Sequence, residues 1–336
     1  MSADAKPYIS VIIPCRNEAR HIRATVASLL VQAEPPGGCE LLVVDGMSDD
    51  GTREILSELA SREPRLKILD NPERITPVAF NRGIRAARGR VIVLMGAHNR
   101  YAPDYLLQTA RVLEETGADN VGGAMVCEGE NYIQRAIALA FHSPFAAGAA
   151  RWHKPDYEGP ADTVFGGAYR RELFERLGFF DEELVRNQDD EFNLRLARAG
   201  GKIWQSPRIK SWYQPRASLA KLFQQYYQYG YWKVRVIQKH KLPASIRHLV
   251  PGAFVVSLAG LAILALAGVK VAAVGLAALA GLYLLANLGA SILTAASGGW
   301  SYLPIVPIVF AAYHFGYGLG FWSGVWKFVI LKSVKV

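Results

Sequence analysis

Short apolar runs near the N-terminus are each followed by polar side chains that can hydrogen-bond a charged ligand. The runs are Tyr8–Pro14, Glu40–Val44 and Arg90–Met95. Amide, carboxylate, hydroxyl and imidazole groups gathered at one place can bind the base, the sugar and the phosphates of a nucleotide. The side chains that follow the runs are Asn17, Glu18, Asp45, Ser48, His98 and Asn99.

The segments between these runs indicate how the polar residues are positioned. The periodicity predicts helices over Glu18–Leu30, Asp50–Arg62 and Ala79–Ala87, and a further strand over Leu66–Leu69. Strands that alternate with helices predict a mostly parallel sheet, and ligands bind at the carboxyl ends of such strands. Any one of the polar residues could instead cap a turn. Their convergence at three strand ends favours a binding cleft.

Several classes of protein are excluded by what the sequence lacks. No GxGxxG follows the first strand and no GxxxxGK[ST] occurs, which argues against a dinucleotide dehydrogenase and a P-loop NTPase. Cys15, Cys39 and Cys127 form no CxxC pair, so neither a disulfide framework nor a structural zinc site is predicted. The start of the chain has no basic segment followed by an apolar run, which predicts no secretory signal.

The charge of the chain is distributed unevenly. Residues 1–191 carry 22 basic and 29 acidic side chains, whereas residues 192–336 carry 16 basic side chains and no acidic one. A basic stretch beside an apolar one suits an anionic membrane surface, where each Lys or Arg contributes about 1 kcal/mol. Nucleic acid is the rival partner, but no recognised nucleic-acid-binding motif accompanies the charge.

The C-terminal region contains apolar segments long enough to cross a bilayer. Leu249–Gly268 has no charged residue, and Val271–Leu293 repeats the pattern, which predicts a helical hairpin. A third stretch, Leu303–Trp322, contains Pro304 and Pro307, which predict a broken, tilted or partly interfacial helix. Buried helices of a soluble protein are the alternative.

The positive-inside rule predicts the orientation of these segments. Basic residues crowd the approach to the first span, so the N-terminal region is expected on the cytoplasmic side. Three full crossings would place the C-terminal lysines outside, whereas two crossings would keep them inside, and the sequence leaves both alternatives open. The basic residues concerned are Lys233, Arg235, Lys239, Lys241 and Arg247 before the first span, and Lys327, Lys332 and Lys335 near the C-terminus.

Six motifs then occur in an order that is found in a known enzyme family. They are SVIIPCRNEARHI, LLVVDGMSDDGT, ITPVAFNRGIRAARGRVIVLMGAHNRY, FGGAYRRELFERLGFFDEEL, NQDDEFNLRLARAGG and QYGYW. From about residue 8 to 240 the chain resembles the family 2 inverting glycosyltransferases of the GT-A fold, and within them the membrane-bound exopolysaccharide glucosyltransferases of the succinoglycan type. The resemblance implies a nucleotide-sugar donor, usually UDP-linked, a divalent metal, and inversion at the anomeric carbon.

The resemblance assigns donor binding to the strand-end residues. Asp45 corresponds to the carboxylate that contacts the base or ribose, and a carboxylate can accept the uracil N–H that an apolar floor would leave unpaired. The implied nucleotide-sugar-binding residues are Pro14, Asn17, Glu18, Asp45, Ser48, Asp50 and Ala97.

The loop after the fourth strand departs from the family pattern. The family generally has Asp-x-Asp there, or Asp-Ala-His in this subgroup, to hold ribose and metal, whereas this chain has Gly96-Ala97-His98. His98 is the implied metal ligand, and Mn²⁺ accepts an imidazole more readily than Mg²⁺ does. An isolated histidine can also be an ordinary packed or surface residue.

An acidic cluster contains the implied catalytic base. Gln188-Asp189-Asp190-Glu191 resembles the family's Glu-Asp-x-Asp/Glu pattern and places Asp189 at the base position. In an inverting transfer the acceptor hydroxyl attacks the anomeric carbon while the base takes its proton, which contributes about 10² to 10⁴ in rate. The alternative is that the cluster only forms the acidic first turn of an exposed helix.

Further residues are implied on the acceptor or product side. A pair of glycines lets the backbone pass near a sugar. The segment QYGYW resembles the Gln-x-x-Arg-Trp motif of processive synthases, with Tyr231 in place of the Arg and Lys233 as a substitute charge, and an interfacial aromatic belt is the alternative. The implied acceptor-side residues are Gly166, Gly167, Asp190, Arg195, Gln228 and Trp232.

Together these observations predict an α/β chain with a GT-A domain over residues 1–222, a basic aromatic juxtamembrane segment over 223–248, and a transmembrane region over 249–336. The expected activity is transfer of a hexose, glucose in the resembled subgroup, from a UDP-sugar to a polyprenyl-diphosphate-linked saccharide at the cytoplasmic face of the inner membrane. Anionic lipids are the expected membrane partners. A polyprenyl-phosphate glycosyltransferase and an inactive nucleotide-sugar-binding scaffold are the alternatives.

Overall fold

The computed structural model describes residues 6–148 and 150–332. The chain separates into two compact units: Met1–Val126 with Arg151–Tyr213, and Cys127–Ala150 with Gln214–Val336. The start of the chain, on which the prediction of no signal rests, and Lys335 of the orientation argument lie outside the described residues. The domain boundary at residue 222 stays a prediction.

Strands and helices alternate through the first unit, and helices form the second. The strands are β1 (Ile9–Cys15), β2 (Cys39–Asp45), β3 (Leu66–Asp70), β4 (Val91–Leu94), β5 (Arg100–Tyr101), β6 (Asn120–Gly123), β7 (Met125–Cys127), β8 (Gly159–Pro160), β9 (Phe165–Arg170), β10 (Ile203–Gln205) and β11 (Ser211–Tyr213). The α-helices are α1 (Ile22–Leu30), α2 (Thr52–Arg62), α3 (Thr76–Ala86), α4 (Tyr105–Thr116), α5 (Tyr132–Phe141), α6 (Pro144–Ala147), α7 (Glu172–Leu177), α8 (Gln188–Arg198), α9 (Leu219–His240), α10 (Val250–Leu266), α11 (Lys270–Gly298) and α12 (Val306–Gly324).

The larger sheet of the first unit has the strand order β3-β2-β1-β4-β9-β6-β10-β8. Strands β1 to β4 are parallel to one another, and β9 is antiparallel to both of its neighbours. A smaller sheet has the order β5-β11-β7. The predicted α/β architecture with a mostly parallel sheet is confirmed.

The sheet is covered on both faces because side chains alternate along each buried strand. Val11 and Ile13 of β1 join one apolar cluster, whereas Ile12 joins the cluster on the opposite face. Helix α3 begins three residues before the predicted Ala79, because Pro77 fits the first turn of a helix, where no N–H bond is lost. The buried faces leave the loops at the carboxyl ends of β1, β2 and β4 to carry the polar residues.

Helices α9 and α12 of the second unit approach each other closely. A Cβ on Gly230 would overlap the carbonyl oxygen of Tyr317, and a Cβ on Gly320 would overlap that of Tyr227. Small residues at a helix interface allow such backbone contact. Ile246–Leu266 and Lys270–Gly298 are long and apolar enough to cross a membrane by length and composition.

The third apolar stretch differs from the expectation of a broken helix. It forms the continuous helix Val306–Gly324, followed by a π-helical segment over Val325–Ile330. Pro304 precedes the helix and Pro307 lies in its first turn, where proline is tolerated. The prolines therefore start this helix rather than interrupt it.

Candidate active site

The loops that follow β1 and β2 are bonded to each other through backbone N–H groups. The Asn17 N–H donates to the Ser48 hydroxyl at 2.9 Å, and the Ala19 N–H donates to the Asp50 carboxylate at 3.1 Å. In the reverse direction, the Asp49 N–H donates to the side-chain oxygen of Asn17 at 3.1 Å. The two loops thus form one network, which contains Asn17, Ser48 and Asp50 of the predicted donor site.

Thr52 extends the network to Glu18. The Glu18 N–H donates to the Thr52 hydroxyl at 2.9 Å, and that hydroxyl donates to Asp50. The bond from Thr52 is the main reason why the pKa of the Asp50 carboxyl is below its usual value. Asp50 is therefore held as an acceptor that orders the backbone of the first loop.

Asp45 is fully buried and binds protein groups with both carboxylate oxygens. It accepts the N–H and the hydroxyl of Ser48 and, at 2.7 Å, the guanidinium of Arg53. The same guanidinium donates to Asp70 at 2.8 Å. Burial, followed by the charge of Asp45, raises the pKa of the Cys15 thiol, so this cysteine stays protonated. The Asp45 carboxylate thus orders its own loop, and its predicted contact with the base or ribose stays a prediction.

The loop after β4 contacts the loop that follows β1. The Thr25 hydroxyl donates to the Ala97 carbonyl at 2.7 Å, and the imidazole Nδ1 of His98 lies 3.1 Å from the Glu18 carboxylate. Pro14 lies inside β1, one residue before its end, and is half-buried. The structure thus brings Glu18, Ala97 and His98 together at the carboxyl edge of the sheet.

The side chain of Asn99 fills the space beside Gly96. A Cβ on Gly96 would lie 2.7 Å from the Asn99 amide nitrogen. The Gly96 N–H donates to the Tyr101 hydroxyl at 2.7 Å, and burial raises the pKa of Tyr101 to about 12, so this hydroxyl is neutral. The side-chain oxygen of Asn99 is buried and accepts no hydrogen bond from the described residues.

These groups fit a divalent metal as a mixed donor set. Within residues 6–148 and 150–332, no group of three or more His, Cys, Asp or Glu side chains is arranged to hold a metal. The pair formed by His98 and Glu18 nevertheless offers an imidazole nitrogen and a carboxylate oxygen, and the next residue of the loop, Asn99, has a buried amide oxygen that accepts no hydrogen bond from the described residues. Such a nitrogen-containing set suits Mn²⁺ better than Mg²⁺, which prefers oxygen ligands.

The glycines of β9 lie next to the end of β4. A Cβ on Gly166 would stand 3.6 Å from the Leu94 carbonyl oxygen and 2.7 Å from the Tyr105 hydroxyl. Gly166 also has φ +61°, a conformation that favours glycine. A Cβ on Gly167 would stand 2.8 Å from the Tyr169 ring. Both glycines therefore permit close packing beside the β4 loop.

Asp189 lies in the first turn of α8 and is exposed. One helical turn later, on the same face, Asn193 is buried and accepts hydrogen bonds from Asn120 of β6 at 3.0 Å and Tyr169 of β9 at 3.3 Å. Burial and, next, the charge of Asp189 raise the pKa of Tyr169. Asn193 thus fixes the helix against the sheet and leaves Asp189 accessible, while Asp190 is half-buried beside it.

Arg195 is used inside the protein. Its guanidinium pairs with Glu191 at 2.8 Å and donates to the carbonyl oxygens of Leu177 at 2.6 Å and Phe179 at 2.7 Å. These bonds tie α8 to the end of α7. The predicted role of Arg195 on the acceptor side stays a prediction.

Gln228 and Trp232 belong to the second unit and are described with it. Both lie on α9. The indole of Trp232 is 8% exposed and packs against the rings of Tyr231 and Phe328. This packing leaves little of the indole exposed, and the predicted role of Trp232 on the acceptor side stays a prediction. Gln228 is half-buried, and its predicted role on the acceptor side stays a prediction.

Comparison with known proteins shows to which family this chain belongs. Residues 10–178 match the family described as Glycosyl transferase family 2. The chain belongs to this glycosyltransferase family. Over 327 residues it is 33% identical to the succinoglycan biosynthesis protein ExoA of Rhizobium meliloti (strain 1021), which covers 96% of this chain and 97% of that protein.

One further relative and one solved structure are also similar to this glycosyltransferase. It is 30% identical, over 69% of its length and 74% of the relative, to a dolichyl N-acetyl-alpha-D-glucosaminyl phosphate 3-beta-D-2,3-diacetamido-2,3-dideoxy-beta-D-glucuronosyltransferase of Methanococcus voltae. The solved mannosyltransferase PcManGT from Pyrobaculum calidifontis, in complex with GDP-Man and Mn²⁺, has a TM-score of 0.61 and 22% identity over 94% of this chain and 88% of that one. The similarity to the solved mannosyltransferase is one of fold, and it confirms the predicted GT-A fold.

Some residues of the glycosyltransferase site were missed by sequence reasoning. Arg53, which bridges two acidic side chains, follows the β2 motif at a spacing that carries no known signature. Asn99 was among the polar residues expected after the fourth strand, but the sequence did not indicate that its side chain occupies the space beside Gly96. Asn193 gave only the weak signal of an amide one turn after Asp189.

Proposed function

We propose that this glycosyltransferase transfers a hexose, with glucose as the first choice, from a UDP-sugar to a polyprenyl-diphosphate-linked saccharide. The transfer inverts the anomeric carbon, and it occurs at the cytoplasmic face of the inner membrane, to which α10 and α11 anchor the chain. The product contributes to an exopolysaccharide or another cell-surface glycan.

The observation that carries the proposal is the single polar network at the carboxyl edge of the sheet. It joins the loops of β1, β2 and β4 through the Asn17–Ser48 bond and the Glu18–His98 pair. Ligands of parallel α/β sheets bind at this edge. The fixed loops present Asn17, Glu18 and the Ala97 backbone to a nucleotide diphosphate.

Asp189 is the proposed catalytic base. The acceptor hydroxyl oxygen forms a bond to the anomeric carbon, its proton passes to the Asp189 carboxylate, and the bond from that carbon to the diphosphate breaks, so that UDP leaves with the electron pair. Asp189 is exposed, as a base for an incoming hydroxyl must be. Its helix is fixed by Asn193, which orients the carboxylate before the acceptor arrives.

A divalent metal, with Mn²⁺ preferred, is proposed to bind at His98 with help from Glu18 and the Asn99 oxygen. When bound, the ion stabilises the negative charge that develops on the leaving diphosphate. The Glu18 carboxylate orients the His98 ring through Nδ1, and Tyr101 holds the backbone of the loop at Gly96.

The relatives support the choice of acceptor. The name of one describes succinoglycan biosynthesis, and the name of the other includes a dolichyl-linked sugar phosphate. Both cover more than two thirds of this chain. A lipid-linked acceptor also agrees with the two apolar helices that are long enough to cross a membrane.

The experiment is transfer of label from UDP-sugars to lipid-linked acceptors by the full chain in vesicles, with and without EDTA and Mn²⁺. Asp189→Asn is expected to lower transfer by about 10² to 10⁴ while UDP binding is retained. Glu172→Gln is the matched control, because Glu172 is an exposed carboxylate in the first turn of another helix, α7, and it should change transfer far less. Label on a polyprenyl phosphate instead of a saccharide would identify the alternative transferase. If no donor gives a labelled product, the alternative of an inactive nucleotide-sugar-binding scaffold is favoured.

A further inference from the structure

Helices α9 and α12 of the second unit run side by side because glycines of α12 face the backbone of α9. A Cβ on Gly316 would lie 2.9 Å from the Phe223 carbonyl oxygen. A Cβ on Gly324 would lie 2.5 Å from the Tyr231 carbonyl oxygen. The step from the first glycine to the second equals the step from Phe223 to Tyr231, so the two helices run in the same direction. Whatever the orientation of α9 relative to a membrane, α12 therefore has the same orientation.

Helix α9 is too polar to cross a bilayer. Its Lys and Arg residues are Lys221, Lys233, Arg235 and Lys239. A Lys or Arg at the centre of a membrane helix costs about 2.5–3.5 kcal/mol. Among the described residues, the helices long and apolar enough to cross are Ile246–Leu266 and Lys270–Gly298, which include neither α9 nor α12. Because α12 shares the orientation of α9, we expect both helices to lie along the membrane surface.

Helices α10 and α11 form an antiparallel pair. The rings of Phe254 and Tyr283 lie 4.7 Å apart between centroids, and a Cβ on Gly275 would lie 3.3 Å from the Leu261 side chain. Residue numbers thus rise along α10 as they fall along α11. Phe254 lies about one turn after Val250, the first residue of α10. We name the level of the Phe254–Tyr283 contact the base of the pair, and the proposed orientation puts it near the cytoplasmic end.

Helix α12 lies across the base of the pair. Near its start, the Pro307 carbonyl oxygen accepts a hydrogen bond from the Asn287 amide of α11 at 3.1 Å. Near its end, the Trp322 indole N–H donates to the Gly252 carbonyl oxygen of α10 at 2.7 Å. Residues 307 and 322 are about 22 Å apart along α12, whereas their two partners each lie within about 6 Å of the base along their own helices. A helix parallel to α10 and α11 would meet them at levels about 22 Å apart, so α12 is transverse to the candidate spans.

One side of α12 and of the π-helical segment that continues it is apolar and exposed. Ile308, Leu319 and Trp326 are 51%, 43% and 58% exposed. Their spacing is close to three and then two whole helical turns, which places them on one face. We name these three residues the α12 stripe. Trp322, which lies between Leu319 and Trp326, contacts α10, so the stripe is continuous with the apolar surface of the first candidate span.

We infer that the α12 stripe binds the acyl chains of the cytoplasmic leaflet, so that α12 lies in this leaflet and does not cross the bilayer. A helix at this position buries its apolar face about 5–10 Å into the boundary between headgroups and acyl chains, where tryptophan is enriched. Lys327 follows the stripe directly, and no Asp or Glu follows Glu191 in the sequence, which suits anionic headgroups. Lys327 and Lys332 then stay on the cytoplasmic side, in agreement with the positive-inside rule. The inference rests on the proposed function for the anchoring of α10 and α11, and it adds a third lipid-binding helix.

The first test measures depth in the bilayer. The full chain is placed in vesicles of phosphatidylcholine and phosphatidylglycerol, with a nitroxide label on Ile308→Cys, Leu319→Cys or Trp326→Cys. The accessibility of the label to oxygen and to a water-soluble nickel complex gives its depth. The three depths should agree within about 5 Å, because the stripe lies along the leaflet. If α12 crossed the bilayer, the depths at positions 308 and 326 would differ by about 27 Å. The native cysteines are buried, and labelling of the unsubstituted chain gives the background.

Labels on α11 are the matched control, since Val271, Leu282 and Leu293 lie on one exposed face of a candidate span. Depth there should be greatest at Leu282 and small at both ends. The inference is overturned if depth varies in the same way along the α12 stripe. It is also overturned if the stripe labels reach nickel more than oxygen, as in water, or reach neither, as under a bound protein. A water-exposed label at Leu282 would instead contradict the membrane anchor of the proposed function, on which the inference rests.

The second test identifies the side on which α12 ends. Lys332→Cys and Lys270→Cys remove the same charge, the first after α12 and the second at the turn between α10 and α11. A membrane-impermeant maleimide should label Lys270→Cys in intact cells, whereas it should label Lys332→Cys only in inverted vesicles. Labelling of Lys332→Cys in intact cells would show that α12 crosses the bilayer.

Discussion

Ser48→Ala tests whether the bonded loops of β1 and β2 form a nucleotide site. The Ser48 hydroxyl has two partners, since it donates to the buried Asp45 carboxylate and accepts the Asn17 N–H. Removing it leaves Asp45 with one donor fewer in a place that water does not reach, and it removes one of the direct bonds between the loops.

The expected loss can be summed from the two bonds. A hydrogen bond to a charged group contributes about 1.5–3 kcal/mol and a neutral one about 0.5–1.5 kcal/mol, so the hydroxyl contributes roughly 2–4.5 kcal/mol. Part of this reduces the stability of the fold, and the rest raises the free energy of the loop conformation that binds. UDP binding should therefore weaken by about 10-fold to 100-fold, since each tenfold step corresponds to about 1.4 kcal/mol.

The assay is isothermal titration of the full chain in detergent with UDP. Ser61→Ala is the control, because the Ser61 hydroxyl is exposed and donates only to a carbonyl oxygen of its own helix, at 2.7 Å. If Ser48→Ala binds UDP as tightly as the control, the bonded loops do not form the nucleotide site and the reasoning fails.

Three further outcomes are expected. Mn²⁺ binding in the presence of UDP can be measured by electron paramagnetic resonance. Gly96→Asp alone should not improve it, because the Asn99 side chain occupies the space beside residue 96. Gly96→Asp combined with Asn99→Ala should tighten Mn²⁺ binding about tenfold. Gly320→Ala should destabilise the chain by about 1–3 kcal/mol through helix separation, and Gly289→Ala, which has open space around it, should not lower the thermal midpoint. Burial raises the pKa of Glu40, but hydrogen bonds from Ser10 and the Arg88 backbone outweigh it, so that the pKa lies below its usual value of 4.5. Glu40→Gln should therefore destabilise the fold at neutral pH. The difference in stability between the variant and the unchanged chain should disappear as the pH falls through the lowered pKa.

The fold was predictable where local patterns were strong. The β-branched runs that became β1 and β2, and the polar residues after them, fixed the parallel arrangement and the edge at which Asn17 and Ser48 meet. The apolar lengths of the C-terminal helices were likewise visible. The antiparallel β9 was not, because a short strand with two glycines has little periodicity.

The roles of individual side chains were harder to predict, since a motif gives a position but not a partner. Asp45 and Arg195 are motif residues, and each also binds protein groups that the motif does not specify. Trp232 is a predicted acceptor-side residue, and its ring packs against Phe328, which is distant in sequence. Such pairings depend on tertiary contacts that spacing alone does not encode.

The mutual bonding of the first two loops also has a thermodynamic consequence. Asn17 and Met47 have φ values of +56°, and Asn17 is held in this backbone conformation by hydrogen bonds with Ser48 and Asp49 of the second loop. Little conformational freedom then remains to be lost when a nucleotide arrives. The loss of conformational entropy on nucleotide binding should therefore be small. The amide protons of residues 17–19 should exchange slowly with deuterium before nucleotide is added.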